Sequence, residues 1–80
     1  MPAKPLSVRL RAQLRKSIDI RIGELHLTRT AAAEELGFTP AQMTRFAAGE
    51  DIFSLDRLVD AAASIGLAVR LAAIRPYDRG

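Results

Sequence analysis

Eighty residues are enough for one small domain, and 49% of them are apolar, which favours a packed core over a disordered chain. Cysteine is lacking, which excludes a disulfide framework, thiol chemistry and Cys-ligated zinc and fits a reducing compartment. The formal net charge of +3 suits a polyanionic partner without identifying one. No run approaches the ~20 apolar residues of a membrane span. The opening MPAKPLSVRLRAQLRK has no apolar centre like that of a secretory signal, so a cytoplasmic protein is expected. A core this small is only marginally stable alone, and dimerisation is the expected remedy.

Residues 1–6 hold two prolines and no periodicity, and are read as a flexible arm. From Ser7, the apolar residues Leu10, Leu14, Ile18 and Ile22 recur every fourth position, a slanting stripe on a first helix. Arg9, Arg11, Arg15 and Lys16 lie largely off that stripe. Ile18, Ile20 and Ile22 also alternate as in a strand, but the stripe starts well before them and favours the helix. Gly23 weakens this helix by about 1 kcal/mol relative to Ala. His26, a residue tolerant of the left-handed conformation, is expected where the helix ends.

Thr28 is placed to cap a second helix, Arg29 to Leu36, and Gly37 to end it. Thr39, Pro40 and Gln42 then spell a capping box with a proline start. Phe38 and Met43 form a hydrophobic staple around that cap. A third helix, Pro40 to Ala48, is expected, with Gly49 as its stop. Ser54 caps a fourth, flanked by a second staple, Phe53 with Leu58. Its buried face is Leu55, Leu58, Val59, Ala62 and Ile65, and Gly66 ends it.

The period changes in LAVRLAAI, which reads as a strand over 67–74 ended by Pro76, followed by a tail at 75–80. A lone strand leaves backbone groups unpaired. Pairing with the same strand of a second copy would bury Val69 and Leu71, with Arg70 solvated or paired to an acid such as Asp60; the alternative is a short strand folded back on its own helices. The expected fold is all-α: a compact bundle of four to five short helices over residues 7–74, with a C-terminal strand pairing across a homodimer.

The second and third helices carry the functional signal. Counting from Arg29, Ala33 is fifth, where two helices cross and only a small side chain fits. Gly37 is ninth, where the turn needs a positive φ. Met43 and Phe46 are fifteenth and eighteenth, on the inward face of the second of the pair. These steric requirements together describe a helix-turn-helix. Its outward face would then carry Thr39, Pro40, Ala41, Gln42, Thr44 and Arg45, at the end of the helix that meets base edges in the major groove. Arg45 suits a guanine, Gln42 an adenine, and Thr44 a thymine methyl or a phosphate. Ala41 permits close approach, and Arg29 suits a phosphate. Gln42 has an alternative role, as capping-box partner facing its own backbone. The bland alternative for the whole set is solvated residues around a cap.

TRTAAAEELGFTPAQMTRFAAG resembles the Cro/C1-type (XRE) helix-turn-helix family, and FSLDRLVDAAASIGLAVRLAAI resembles its HigA-like branch. The resemblance implies a sequence-specific transcriptional repressor that binds double-stranded DNA as a dimer on a pseudo-palindromic operator. It also implies the autoregulating antitoxin of a type II toxin–antitoxin pair, with a toxin as a further partner. Pro40 departs from the family in having no side-chain hydrogen bond to offer, and Arg29 stands where Gln is frequent. Two alternatives stay open within the resemblance: a stand-alone regulator, and an antitoxin that binds little DNA. Any toxin contact would use the folded surface, such as the first helix or the acidic face near Glu34 and Glu35. A different DNA-binding fold also competes: LSVRLRAQLRKS resembles the opening of a ribbon-helix-helix protein, with Ser7, Arg9 and Arg11 reading bases from a strand.

Catalysis finds no support. One His has no partner ligand, no Gly-rich phosphate loop is present, and the acidic pairs Glu34-Glu35 and Glu50-Asp51 do not converge on one substrate. No catalytic residue, metal or cofactor is expected.

Overall fold

The computed structural model describes residues 5–67. Four helices are found there: α1 (Leu6–Glu24), α2 (Arg29–Leu36), α3 (Pro40–Ala47) and α4 (Leu55–Ser64). α1 is 19 residues long, so the bundle is one long helix with three short ones. It begins at Leu6, because Pro5 is extended and its carbonyl accepts from the N–H groups of Val8 and Arg9. Ser7, Arg9 and Arg11 are therefore helical, which overturns the ribbon-helix-helix alternative. The stripe explains why: Ile18 is wholly buried, and Leu14 and Ile22 pack against the same core.

Three side chains start the three short helices. Thr28 accepts from the N–H of Ala31, Thr39 from that of Gln42, and Ser54 from that of Arg57, each at 3.1 Å. All four helices close with one backbone pattern. A left-handed residue follows the helix, and the N–H of the residue after it reaches the carbonyl five positions back. The left-handed residue is His26 (φ 55°) after α1 and glycine after the other three. The closing bonds are Leu27 to Ile22, Phe38 to Ala33, Glu50 to Arg45 and Leu67 to Ala62.

The last of these bonds corrects only the first residue of the expected strand. Leu67, its first residue, is spent on closing α4, and its half-buried side chain packs on the helical core. The rest of the expected strand, with Val69 and Leu71, lies outside the described residues, as does Arg70.

α4 is central. It packs against α1 and α2, and α2 packs against α3. Leu58 and Ile18 are the largest fully buried side chains. Ala61 and Ala62 are buried as well, so α4 meets its neighbours through small residues, while Leu55 and Val59 are only half-buried. Both expected staples lie inside this core: Phe38, Met43, Phe53 and Leu58 are all buried. Phe38 and Phe53 stack with centroids 4.3 Å apart, and Phe46 tilts against both. No charged or polar side chain is buried among the described residues.

Candidate nucleic-acid interface

α3 presents its amino end to solvent. Thr39, Pro40 and Ala41 are exposed, and Met43 and Phe46 anchor the opposite face in the core. The capping box is complete: the Thr39 N–H donates to Gln42 Oε1 at 2.9 Å, and the Gln42 N–H donates to Thr39 Oγ1. α3 is thus fixed in angle by its cap, its proline start and its buried face. Arg29 and Thr30 begin α2 beside it. The two helices flank an open cleft of about 360 Å3 with Phe38 and Met43 in its wall and Arg29, Pro40 and Thr44 among its lining.

The helix ends are polarised. Neither α2 nor α3 carries an acid in its first turn, whereas α4 carries Asp56 there. The partial positive charge at a helix amino end is stabilised by an anion. In α4 the protein supplies that anion; at α2 and α3 the position is open to an external one, such as a phosphate.

The individual side chains divide into two groups. Arg29 is exposed and makes no hydrogen bond or ion pair with another described residue, which leaves its charge available to solvent or ligand. Gln42, Thr44 and Arg45 are already engaged. Gln42 holds the cap, so its amide oxygen faces its own backbone; the alternative role is the one it fills here. Thr44 Oγ1 donates to the Pro40 carbonyl at 3.1 Å, on a residue that stays exposed. Arg45 Nε donates to Glu50 Oε1 at 2.8 Å, with both side chains well exposed.

Three features around α3 escaped the sequence reading. Arg57 reaches from α4 to donate to the Gly37 carbonyl at 3.1 Å, and its guanidinium lies over the Phe38 and Phe53 rings at 5.6 and 5.3 Å. Asp51 receives Arg11 Nε at 2.9 Å and Arg15 Nη1 at 3.0 Å, tying α1 to the connector after α3. Arg11 and Arg15 are therefore committed to the fold, while Arg9 and Lys16 are exposed. The Asp51 carboxyl is held below its ordinary value by the Arg11 hydrogen bond first and by the charges of Arg11 and Arg15 as well; desolvation opposes them. Glu50 and Asp51 thus diverge, one to α3 and one to α1. A signal for the Glu50 pair was present in the sequence: Arg45 and Glu50 stand four before and one after the stop glycine, positions that this type of helix end brings together.

No helix among the described residues is long and apolar enough to cross a membrane, and no group of three or more metal-ligating side chains occurs among them.

A protein-family model described as a helix-turn-helix domain matches residues 1–74. No curated protein and no solved structure matches the chain.

Proposed function

This chain belongs to the helix-turn-helix domain family, and from that premise we propose that it is a sequence-specific double-stranded DNA-binding transcriptional repressor. α3 enters the major groove with Thr39, Pro40 and Ala41 nearest the base edges and Arg45 on a guanine. Arg29 and the amino end of α2 hold a phosphate. The observation that carries this reading is the exposed amino end of α3, held on a rigid aromatic core and lacking any acid in its first turn. Repression is steric: the bound protein occludes a promoter.

The fit is more restricted than the outward face of α3 suggests. Gln42 serves the cap and Pro40 has no polar side chain, so direct readout rests chiefly on Arg45, with Thr44 as a methyl or phosphate contact. Phosphate binding then supplies most of the affinity, which falls steeply as salt rises. A second copy related by a two-fold axis would set two α3 helices about one DNA turn apart on a pseudo-palindromic site. Within the helix-turn-helix family, the finer placement is the Cro/C1-type (XRE) group and its HigA-like branch, on the resemblance of residues 28–49 and 53–74.

That placement brings a toxin partner with it, and the surface of α1 offers room for one. Leu6, Ile20 and Leu25, exposed large apolar residues, lie on α1 or just after it, on the helix that packs against α4. Co-expression with the product of the neighbouring gene, followed by size-exclusion chromatography, tests the antitoxin reading. Co-elution and relief of growth arrest are expected; separate elution without relief leaves a stand-alone regulator.

DNA binding is tested by gel-shift titration with the duplex upstream of the protein's own gene, at two salt concentrations and against a scrambled competitor. Saturable, competitor-resistant retention is expected. Retention removed equally by either competitor would overturn sequence-specific binding at that duplex.

A further inference from the structure

The end of α3 differs in one respect from the other three helix ends. In this type of closure, the residue four before the left-handed position and the residue after it lie side by side, usually as an apolar pair. At the other ends the pair is Ile22 with Leu27, Ala33 with Phe38, and Ala62 with Leu67, all of them in or packed on the core. At α3 it is Arg45 with Glu50, charged and exposed. The backbone bond from the Glu50 N–H to the Arg45 carbonyl (3.1 Å) and the left-handed Gly49 (φ 85°) fix where the two side chains start.

We propose that Glu50 is a positioning residue that aims the Arg45 guanidinium at a guanine; the proposal rests on the DNA-binding reading and deepens it. The contact made is Arg45 Nε to Glu50 Oε1 at 2.8 Å. It occupies one edge of the planar group and leaves both Nη groups without a hydrogen-bond partner among the described residues. Those two nitrogens form the fork that matches the O6 and N7 acceptors of guanine. An unsupported exposed arginine samples many rotamers, and a carboxylate on Nε restricts the plane and direction of the fork. Glu50 also brings a negative charge towards the duplex. That charge weakens binding to any DNA, and only a sequence that satisfies the Arg45 fork recovers the loss. Base preference therefore rises at the expense of overall affinity.

Two substitutions separate aiming from charge. Glu50→Ala removes both the carboxylate acceptor and the charge, while Glu50→Gln removes the charge and keeps an oxygen acceptor for Nε. Sites are first selected by the wild-type protein from a random duplex library. Affinities of the wild type and variants are then measured for the selected duplex, for the same duplex with the contacted G·C pair replaced by A·T, and for a scrambled duplex. Thermal melting of each variant confirms the fold.

Glu50→Ala is expected to lower the preference for guanine roughly tenfold and to strengthen binding to the scrambled duplex. Glu50→Gln should strengthen scrambled binding to a similar extent and retain more of the preference. Arg45→Lys, which keeps the charge without the fork, should lose the preference whatever stands at position 50. If Glu50→Ala raised affinity for all three duplexes by one factor, Glu50 would be only a repelling charge and the proposal would be overturned. If Arg45→Lys kept the guanine preference, the proposal would fall while DNA binding stood. Failure of the wild type itself to distinguish any duplex from the scrambled one would instead overturn the DNA-binding reading, and the aiming role with it.

Discussion

The ends of α2 and α3 share a backbone and differ in everything attached to it. Both close on a left-handed glycine with the same pair of N–H to carbonyl bonds. After α2, the paired side chains are Ala33 and Phe38, each 6% exposed, and Arg57 covers the ring. After α3 they are Arg45 and Glu50, with side chains 57% and 45% exposed. The first end welds the turn to the core, and the second holds out an arginine. The difference shows how one closing device serves stability at one place and presentation of a side chain at another, according to the residues set around the glycine.

The comparison breaks most visibly under Phe38→Ala. Removing a buried aromatic should cost about 3–5 kcal/mol of unfolding free energy, which for a domain this small approaches the whole of its stability. Glu50→Ala, at the matching position after α3, should stay within about 0.5 kcal/mol. Urea denaturation of both variants measures the contrast. Comparable losses would show that the end of α3 is also structural.

The glycines sharpen the same contrast. A Cβ at Gly37 or Gly49 meets nothing within 4 Å, so the cost of alanine is the left-handed backbone alone. Gly37→Ala and Gly49→Ala should therefore each lose a similar amount, about 1–2 kcal/mol. Only Gly49→Ala should alter which DNA sequence is preferred, because only there does the closure carry Arg45. Denaturant melts paired with site selection test both halves.

Arg57→Ala should cost less, about 0.5–1 kcal/mol, since the side chain is exposed and its stacking over Phe38 and Phe53 is partly hydrated. Thermal melting reads this loss. A larger loss would mean that the Gly37 carbonyl depends on Arg57 for its partner.

The smallest effect belongs to Asp51. Its folded-state pKa lies below the ordinary 3.8, so its pairs with Arg11 and Arg15 stabilise the fold above that value. Their contribution is lost as pH falls through the folded-state pKa. Asp51→Asn should melt slightly below the wild type at neutral pH, and the two curves should converge in acid. An exposed pair of this kind gives a modest shift. A gap in Tm that persisted at low pH would assign the effect to something other than the carboxylate.

Local chemistry made much of this fold legible in the sequence. Thr28, Thr39 and Ser54 each begin a helix because their oxygens accept an N–H three residues on, and such signals span only a few positions. The left-handed residues after the helices were legible for the same reason, including His26. What the pattern missed depends on distance or on size. Arg57 meets Gly37 across 20 positions, and Asp51 meets Arg11 across 40, beyond the reach of any periodicity. Ala61 is buried and Leu55 only partly so, because α4 sits close to two neighbouring helices and close approach favours the small side chain. At the candidate site, the exposed amino end of α3 follows from its capping box. The engagement of Gln42 was legible as one of two roles, and packing and hydrogen bonding decide which one it fills. Leu67 was misread because the alternating pattern after Gly66 says nothing of the N–H that the closure of α4 requires.

The central claim is that α3 reads DNA chiefly through Arg45. Fluorescence anisotropy of a labelled, selected duplex and of its scrambled counterpart, titrated with wild type and Arg45→Ala, tests it directly. The account predicts clear preference for the selected duplex in the wild type, and a loss of about 1–3 kcal/mol in Arg45→Ala on that duplex, larger than its loss on the scrambled one. Equal affinities for the two duplexes in the wild type, or an unchanged preference in the variant, would contradict it.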